Sequence, residues 1–267
     1  MTPVVTRARL DAELVRRGLA RSRQQATELI EQGRVAVRGI TAGKPATVVD
    51  RDTPVTVQET GEQEWASRGA HKLIGALDAF AIDVAGLRCL DAGASTGGFT
   101  DVLLDRGAAR VVAVDVGYGQ LIWRLQSDER VQLHDRTNVR TLEPETIGGP
   151  VDLTVADLSF ISLRTVLPAL AACTRGALLP MVKPQFEVGR ERLGAGGVVR
   201  DPTLRLSALT AVTAAARELG LVLRGAVASP LPGPSGNVEF FLWLAPSDDG
   251  DDVGDTVLAT AVEEGPR

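Results

Sequence analysis

The stretch LDAGASTGGFT, residues 90–100, decides the fold. An apolar run from Leu87 to Leu90 ends in Asp91, and Gly93, Gly97 and Gly98 follow. Phe99, Val102, Leu103 and Leu104 then recur at helical spacing. This is the pattern of a strand, a tight glycine turn and a helix. Glycine lets the backbone approach a ligand closely, and the first turn of a helix offers N–H groups without intrahelical partners. The stretch predicts a small-molecule site at the carboxyl end of a strand, where open α/β sheets bind ligands.

Two common ligands do not fit. A triphosphate loop needs Lys and Ser/Thr after its last glycine, and here Phe99 and Thr100 follow Gly98. The dinucleotide pattern G-x-G-x-x-G fails because Ala94 and Ser95 follow Gly93. What remains is D-x-G-x-x-x-G-G. Asp91 suits the amino group of a cationic cofactor. A second acid, Asp115, ends the run Val111–Val114, 24 residues after Asp91, a spacing suited to gripping a ribose. The arrangement resembles the S-adenosylmethionine site of class I methyltransferases. The resemblance implies a cofactor held by Asp91, Gly93, Ser95, Thr96, Gly97, Gly98, Phe99 and Asp115. Asp135, Thr137 and Asn138 are then expected to border the adenine, and Phe160 and Asp157 to wall the methionine pocket. Ser235, between Gly233 and Gly236, is expected to close the site from the opposite loop. The residues alone also allow a ligand-free glycine turn with two capping aspartates.

Seven apolar runs alternate with helical patterns: 87–90, 111–114, 131–133, 153–156, 177–182, 222–226 and 240–244. That rhythm predicts an α/β fold with a mostly parallel, doubly wound sheet. Ahead of it, RLDAELVRRGL reads as a short helix stopped by Gly18. Ser22 caps a second helix that Gly33 ends, and short alternating strands follow. This small α+β module resembles the S4 RNA-binding domain. The resemblance puts Arg7, Arg9, Arg21, Arg23 and Lys44 opposite RNA phosphates. The expected divisions are 1–59 for this module, 60–67 for a polar linker containing Trp65, 68–246 for the sheet domain and 247–267 for an acidic, poorly ordered tail. Within the tail, 257–263 is the one short helical pattern.

The chain of 267 residues is 44% hydrophobic, with ample core for one or two domains. No apolar run approaches the ~18 residues that span a bilayer. The N-terminus lacks the apolar core of a secretory signal, so a cytoplasmic protein is expected. Cys89 and Cys173 lie in apolar surroundings and read as free thiols; with two histidines, His71 and His134, a zinc site is not expected. The net charge of −5 divides unevenly: residues 1–44 carry +5 and residues 245–267 carry −6. Such asymmetry points to nucleic-acid contact at the basic end.

Four further polar segments stand out: SRGAHKL with Lys72, DLTVADLSFISL with Asp157, LLPMVKPQFEVG with Lys183, and PLPGPSGNVEFFLWL with Glu239. Charged residues at the ends of buried strands are seldom buried unless paired. The order Lys, Asp, Lys, Glu, with DAGASTGGF after the first lysine, resembles the FtsJ-like RNA ribose 2′-O-methyltransferases. With the S4-like front, residues 7–244 resemble the TlyA (haemolysin A) family. That resemblance implies methylation of cytidine ribose in ribosomal RNA, within the large subunit and, given the longer ends here, also the small one. A ribose hydroxyl is a poor nucleophile while protonated, and a lysine in a buried, positively charged setting can serve as general base. Lys183 is assigned that role, Lys72 stabilises the developing alkoxide, Asp157 orients Lys183, and Glu239 orients Lys72. The displaced group is neutral, so no metal is expected. The expected partner is ribosomal RNA, with no membrane, and a monomer. The competing readings are a membrane-active haemolysin and a non-catalytic ribosome-binding module.

Overall fold

The computed structural model of the protein describes residues 7–20, 22–58, 65–233 and 235–265. The chain divides into two compact units, Met1–Glu64 and Trp65–Arg267.

The first unit contains β1 (Arg7–Arg9), α1 (Leu10–Arg16), α2 (Arg23–Glu31), β2 (Val35–Val37), β3 (Ile40–Thr41), β4 (Val48–Asp50) and β5 (Val55–Val57). Ser22 caps α2 as its sequence position predicts, its hydroxyl accepting from the Gln25 N–H at 3.2 Å. Strands β3, β2 and β5 form one antiparallel sheet, and β1 pairs with β4. Leu10, Leu14, Ala26, Leu29, Ile30 and Val35 make a small core between helices and strands.

The second unit carries α3 (Gly69–Phe80), β6 (Arg88–Ala92), α4 (Gly98–Asp105), β7 (Arg110–Val114), α5 (Trp123–Gln126), β8 (Val131–His134) and β9 (Val151–Ala156). It continues with α6 (Leu163–Ala172), β10 (Thr174–Val182), α7 (Pro184–Glu187), α8 (Pro202–Glu218), β11 (Leu221–Ala228), β12 (Phe240–Pro246) and α9 (Thr256–Glu264). The sheet order is β11-β12-β10-β9-β6-β7-β8. Strands β10, β9, β6, β7 and β8 run parallel, while β12 is antiparallel to both of its neighbours. The mostly parallel, doubly wound sheet expected from the sequence is present. Its near-continuous apolar strands follow from burial on both faces. Leu90, Val112 and Val114 turn to the face covered by α6, α8 and α9, whereas Cys89, Val111 and Ala113 turn to the face covered by α3 and α4.

Two expected boundaries are corrected. Trp65 and Ala66 pack on the second core, and the Ala66 N–H donates to Asp101 Oδ2 at 2.8 Å, so 65–67 is not free linker. The remainder of that linker, 60–64, lies outside the described residues. The C-terminal segment is not a loose acidic tail either. Asp252 accepts from Arg217 Nε at 2.9 Å and from the Leu223 N–H at 3.2 Å, and Asp255 pairs with Arg217 at 2.8 Å. Its acids thus anchor to α8 and β11, and α9 buries Leu258, Ala261 and Val262 in the main core. The alternation of acids and glycines hides this, because the partners are distant in sequence. Leu258 is fully buried, so Leu258→Ala is expected to cost about 2–5 kcal/mol in urea unfolding. A dispensable tail would give no change.

Candidate active site at the carboxyl edge of the sheet

The parallel register brings the sequence-predicted residues to one edge. Ala92 is level with Val114 on one side and with Ala156 on the other, so Gly93, Asp115 and Asp157 leave their strands together. Val182 pairs with Phe240 across the antiparallel seam, which places Lys183 and Glu239 at the same edge. From β12 towards β8 the edge reads Glu239, Lys183, Asp157, Gly93, Asp115 and Asp135. Strand order reverses at β6, where β9 and β7 lie on opposite sides, and such a switch point opens a crevice in doubly wound sheets.

The glycine loop is built for close approach. Gly93 has φ +89°, and a Cβ there would lie 2.5 Å from the Asp157 carbonyl oxygen. Gly97, at φ +104°, has Leu121 and Leu125 where a side chain would go. Ser95 holds φ +49° and stays exposed, as does Thr96, whose carbonyl accepts from the Ile122 N–H at 3.2 Å. Asp115, nearly buried, accepts from the Ser95 N–H at 2.8 Å on Oδ2, and from the Gly117 N–H at 2.7 Å and Gln120 Nε2 at 3.4 Å on Oδ1. Oδ2, with a single donor among the described residues, keeps a lone pair for a further one. Asp135 accepts from the Gly119 N–H at 2.8 Å, and the Thr137 N–H donates to the Asp115 carbonyl at 2.9 Å. The loops after β6, β7 and β8 are thereby stitched into one wall.

Three expected lining residues are placed differently. The Phe99 ring turns into the core, 6.0 Å from Phe241, because α4 covers the sheet with that face. The exposed Asn138 uses its side chain to accept from the Arg140 N–H at 3.0 Å, capping the turn 139–141. Phe160 is 92% exposed, with φ +64°, and its ring lies 5.4 Å from Phe186 rather than closing a pocket. Ser235 is exposed in the loop that leads into β12.

Both lysines are buried and each has a carboxylate. Lys72 Nζ, from α3, meets Glu239 Oε2 at 2.5 Å, with both side chains almost completely buried. Lys183 Nζ meets Asp157 Oδ1 at 2.6 Å and donates to Ser159 Oγ at 3.0 Å. Burying an ammonium group without such a partner costs several kcal/mol. Sequence reading passed over Ser159, Gln120 and Glu187. Glu187 accepts from Ser162 Oγ at 2.6 Å and from the Leu163 N–H at 2.7 Å, tying the loop after β9 to α7. Ser159 and Glu187 lie inside the segments quoted above and Gln120, which bonds Asp115 Oδ1 at 3.4 Å, lies outside them; in each case the partner is not visible in the local sequence.

The basic face of the first unit is partly neutralised from within. Asp11 and Glu13 are buried in α1. Arg9 and Arg23 both bond Asp11, at 3.0 and 2.9 Å, and Arg16 and Arg17 both bond Glu13. The hydrogen bond from Arg9 holds the Asp11 carboxyl well below the usual range. Arg9 and Arg23 nevertheless remain 50% and 62% exposed, as guanidinium groups fixed in place. Arg7 forms an exposed 3.4 Å pair with Asp50, and Lys44 is exposed. Arg21 lies outside the described residues.

Asp91 is fully buried. Its Oδ2 accepts from the Thr100 N–H and hydroxyl at 2.8 and 2.7 Å, while Oδ1 has no hydrogen-bond partner. Burial pushes its pKa up from 3.8 to about 7. The fold therefore resists the ionised form. That cost is absent below the unfolded value, grows as pH rises, and is complete above about 7. Asp91→Asn keeps an acceptor for Thr100 and carries no charge. Its melting temperature without ligand is expected to gain on the parent between pH 4 and pH 8, as read by scanning calorimetry. A pH-independent difference would refute the assignment.

A family model described as FtsJ-like methyltransferase matches residues 65–245, and one described as S4 domain matches residues 8–55. The chain is 67% identical over 240 residues to the 16S/23S rRNA (cytidine-2′-O)-methyltransferase TlyA of Mycobacterium tuberculosis, covering 89% of this chain and 90% of that one. It is 41% identical to the putative rRNA methyltransferase YqxC of Bacillus subtilis, covering 96% and 93% of the two chains. A solved putative hemolysin from Streptococcus thermophilus aligns at a TM-score of 0.77 and 37% identity, over 98% of this chain and 96% of that one. The matches take in the glycine loop, the lysine-bearing segments and the basic front together, and the chain belongs to the TlyA family of S4-fronted, FtsJ-like methyltransferases.

Proposed function

We propose that the protein transfers a methyl group from S-adenosylmethionine to the 2′-hydroxyl of cytidine in ribosomal RNA, in the cytoplasm, acting on both ribosomal subunits. The observation that carries this reading is the placement of two buried lysines, each paired with a carboxylate, beside the glycine crevice on one sheet edge. The 67% identical relative is named for both 16S and 23S RNA, which supports the dual substrate.

The residues present fit the cofactor. Asp91 offers a buried, unpartnered carboxylate oxygen behind the loop, a setting that a cation relieves. Among the described residues Asp115 Oδ2 accepts only from the Ser95 N–H and so keeps a lone pair for a ribose hydroxyl, and the positive φ of Gly93 and Gly97 lets the loop backbone turn tightly against Asp157, Leu121 and Leu125. When bound, the cofactor supplies a methyl group on a positively charged sulfur.

The protein's own groups prepare the acceptor. Lys183, in its neutral form, takes the proton of the ribose 2′-hydroxyl. Asp157 orients that amine through the 2.6 Å contact. Lys72, held against Glu239 at 2.5 Å, stabilises the negative charge that develops on the ribose oxygen. Holding the oxygen in line with the methyl group supplies much of the acceleration. The exposed guanidinium groups of Arg9 and Arg23, with Arg7 and Lys44, meet RNA phosphates.

Lys183→Ala is expected to lower methyl transfer to purified 30S and 50S subunits by at least ~100-fold, while calorimetry finds cofactor binding intact. Normal turnover in a tritium-methyl assay would remove Lys183 as the base. Mapping of 2′-O-methyl sites is expected to find cytidines in both 16S and 23S RNA. Modification in one subunit alone would limit the substrate to that subunit.

A further inference from the structure

Lys183 has a second partner beyond the aspartate that its reading as a base requires. A neutral amine carries two N–H bonds and one lone pair, set tetrahedrally about nitrogen with the bond to Cε. A single acceptor leaves the other two positions interchangeable. A base works only if the lone pair, and not the second N–H, faces the proton it takes. Here Nζ meets Asp157 Oδ1 at 2.6 Å and Ser159 Oγ at 3.0 Å, so two acceptors two residues apart claim both N–H bonds. We propose that Ser159 is a positioning residue: its hydroxyl holds the second N–H of Lys183 so that the remaining position, the lone pair, is aimed at the substrate hydroxyl. This rests on Lys183 being the base.

The backbone around Ser159 is arranged to keep it there. Lys183 and Ser159 come from the ends of adjacent parallel strands, β10 and β9. The next residue, Phe160, sits at φ +64°, a conformation that bulky residues rarely adopt and that surrounding structure must enforce. The far end of the same loop is fastened to the segment after Lys183, where the buried Glu187 carboxylate accepts from Ser162 Oγ and the Leu163 N–H. The loop is thus tied to the Lys183 segment on both sides of its strained residue. An exposed loop serine with no part in the reaction needs neither tie.

The test compares single-turnover methyl transfer on 50S subunits by the full-length parent, Lys183→Ala, Ser159→Ala and Ser159→Thr, with cofactor affinity from calorimetry. Ser159→Ala is expected to slow transfer roughly 10- to 100-fold with KM for subunits and cofactor Kd each within about 2-fold of the parent. Ser159→Thr, which restores the hydroxyl, is expected to recover the rate to within about 3-fold. An unchanged rate in Ser159→Ala beside an inactive Lys183→Ala overturns the role of Ser159 and leaves Lys183 as the base. Equal losses in the alanine and threonine variants, or a loss carried by cofactor Kd, overturn it as well. Full activity in Lys183→Ala removes both the base and its positioning residue.

Discussion

Two lysine side chains are brought out of water at the edge of this sheet, and each is matched by a carboxylate from a different part of the chain. The desolvation cost of an unpaired buried charge is several kcal/mol, so the pairings constrain everything around them. Asp157 reaches Lys183 because β9 and β10 are adjacent and parallel, which brings both carboxyl ends to the same side. Glu239 arrives by the opposite rule. It precedes its strand, so it stands at that edge only because β12 runs antiparallel to β10. A parallel β12 would deliver Glu239 to the far edge and leave Lys72 buried without a counter-charge.

The cofactor side of the crevice obeys a related economy. Asp115 and Asp135 each accept a backbone N–H from a neighbouring loop before any ligand is considered. These bonds fix the loops after β6, β7 and β8 against one another. Asp91 is different: it is sealed behind Thr100 with one oxygen unpartnered, so its ionisation is resisted by the fold. The three aspartates thus fall into two settings, two that tie loops together and one that is buried in the fold.

At the two ends of the chain, counting charges misleads. The +5 of residues 1–44 suggests a free cationic surface, yet Asp11 and Glu13, buried in α1, hold four of their arginines. What results is a smaller number of fixed guanidinium groups rather than a diffuse charge. The acidic C-terminal stretch looks unsuited to packing. Its aspartates instead capture Arg217 and the edge of β11, and α9 then covers core.

The amino-acid sequence by itself determined the order of elements, the seven strands, the glycine turn, the caps of the front helices and the identity of the four charged residues that stand out from the fold. Each of these depends on patterns within about a dozen neighbouring residues, where periodicity, glycine and capping chemistry act. Only the tertiary structure decided which charges meet. Lys72 and Glu239 are 167 residues apart, and the partners Ser159 and Glu187 carry no signal of their own. Phe99 and Phe160, alike in sequence as aromatics near the crevice, were separated into core and surface by the direction in which the backbone turns. Contacts of this kind are set by strand order and register, which are properties of the assembled sheet and not of any one segment of the chain.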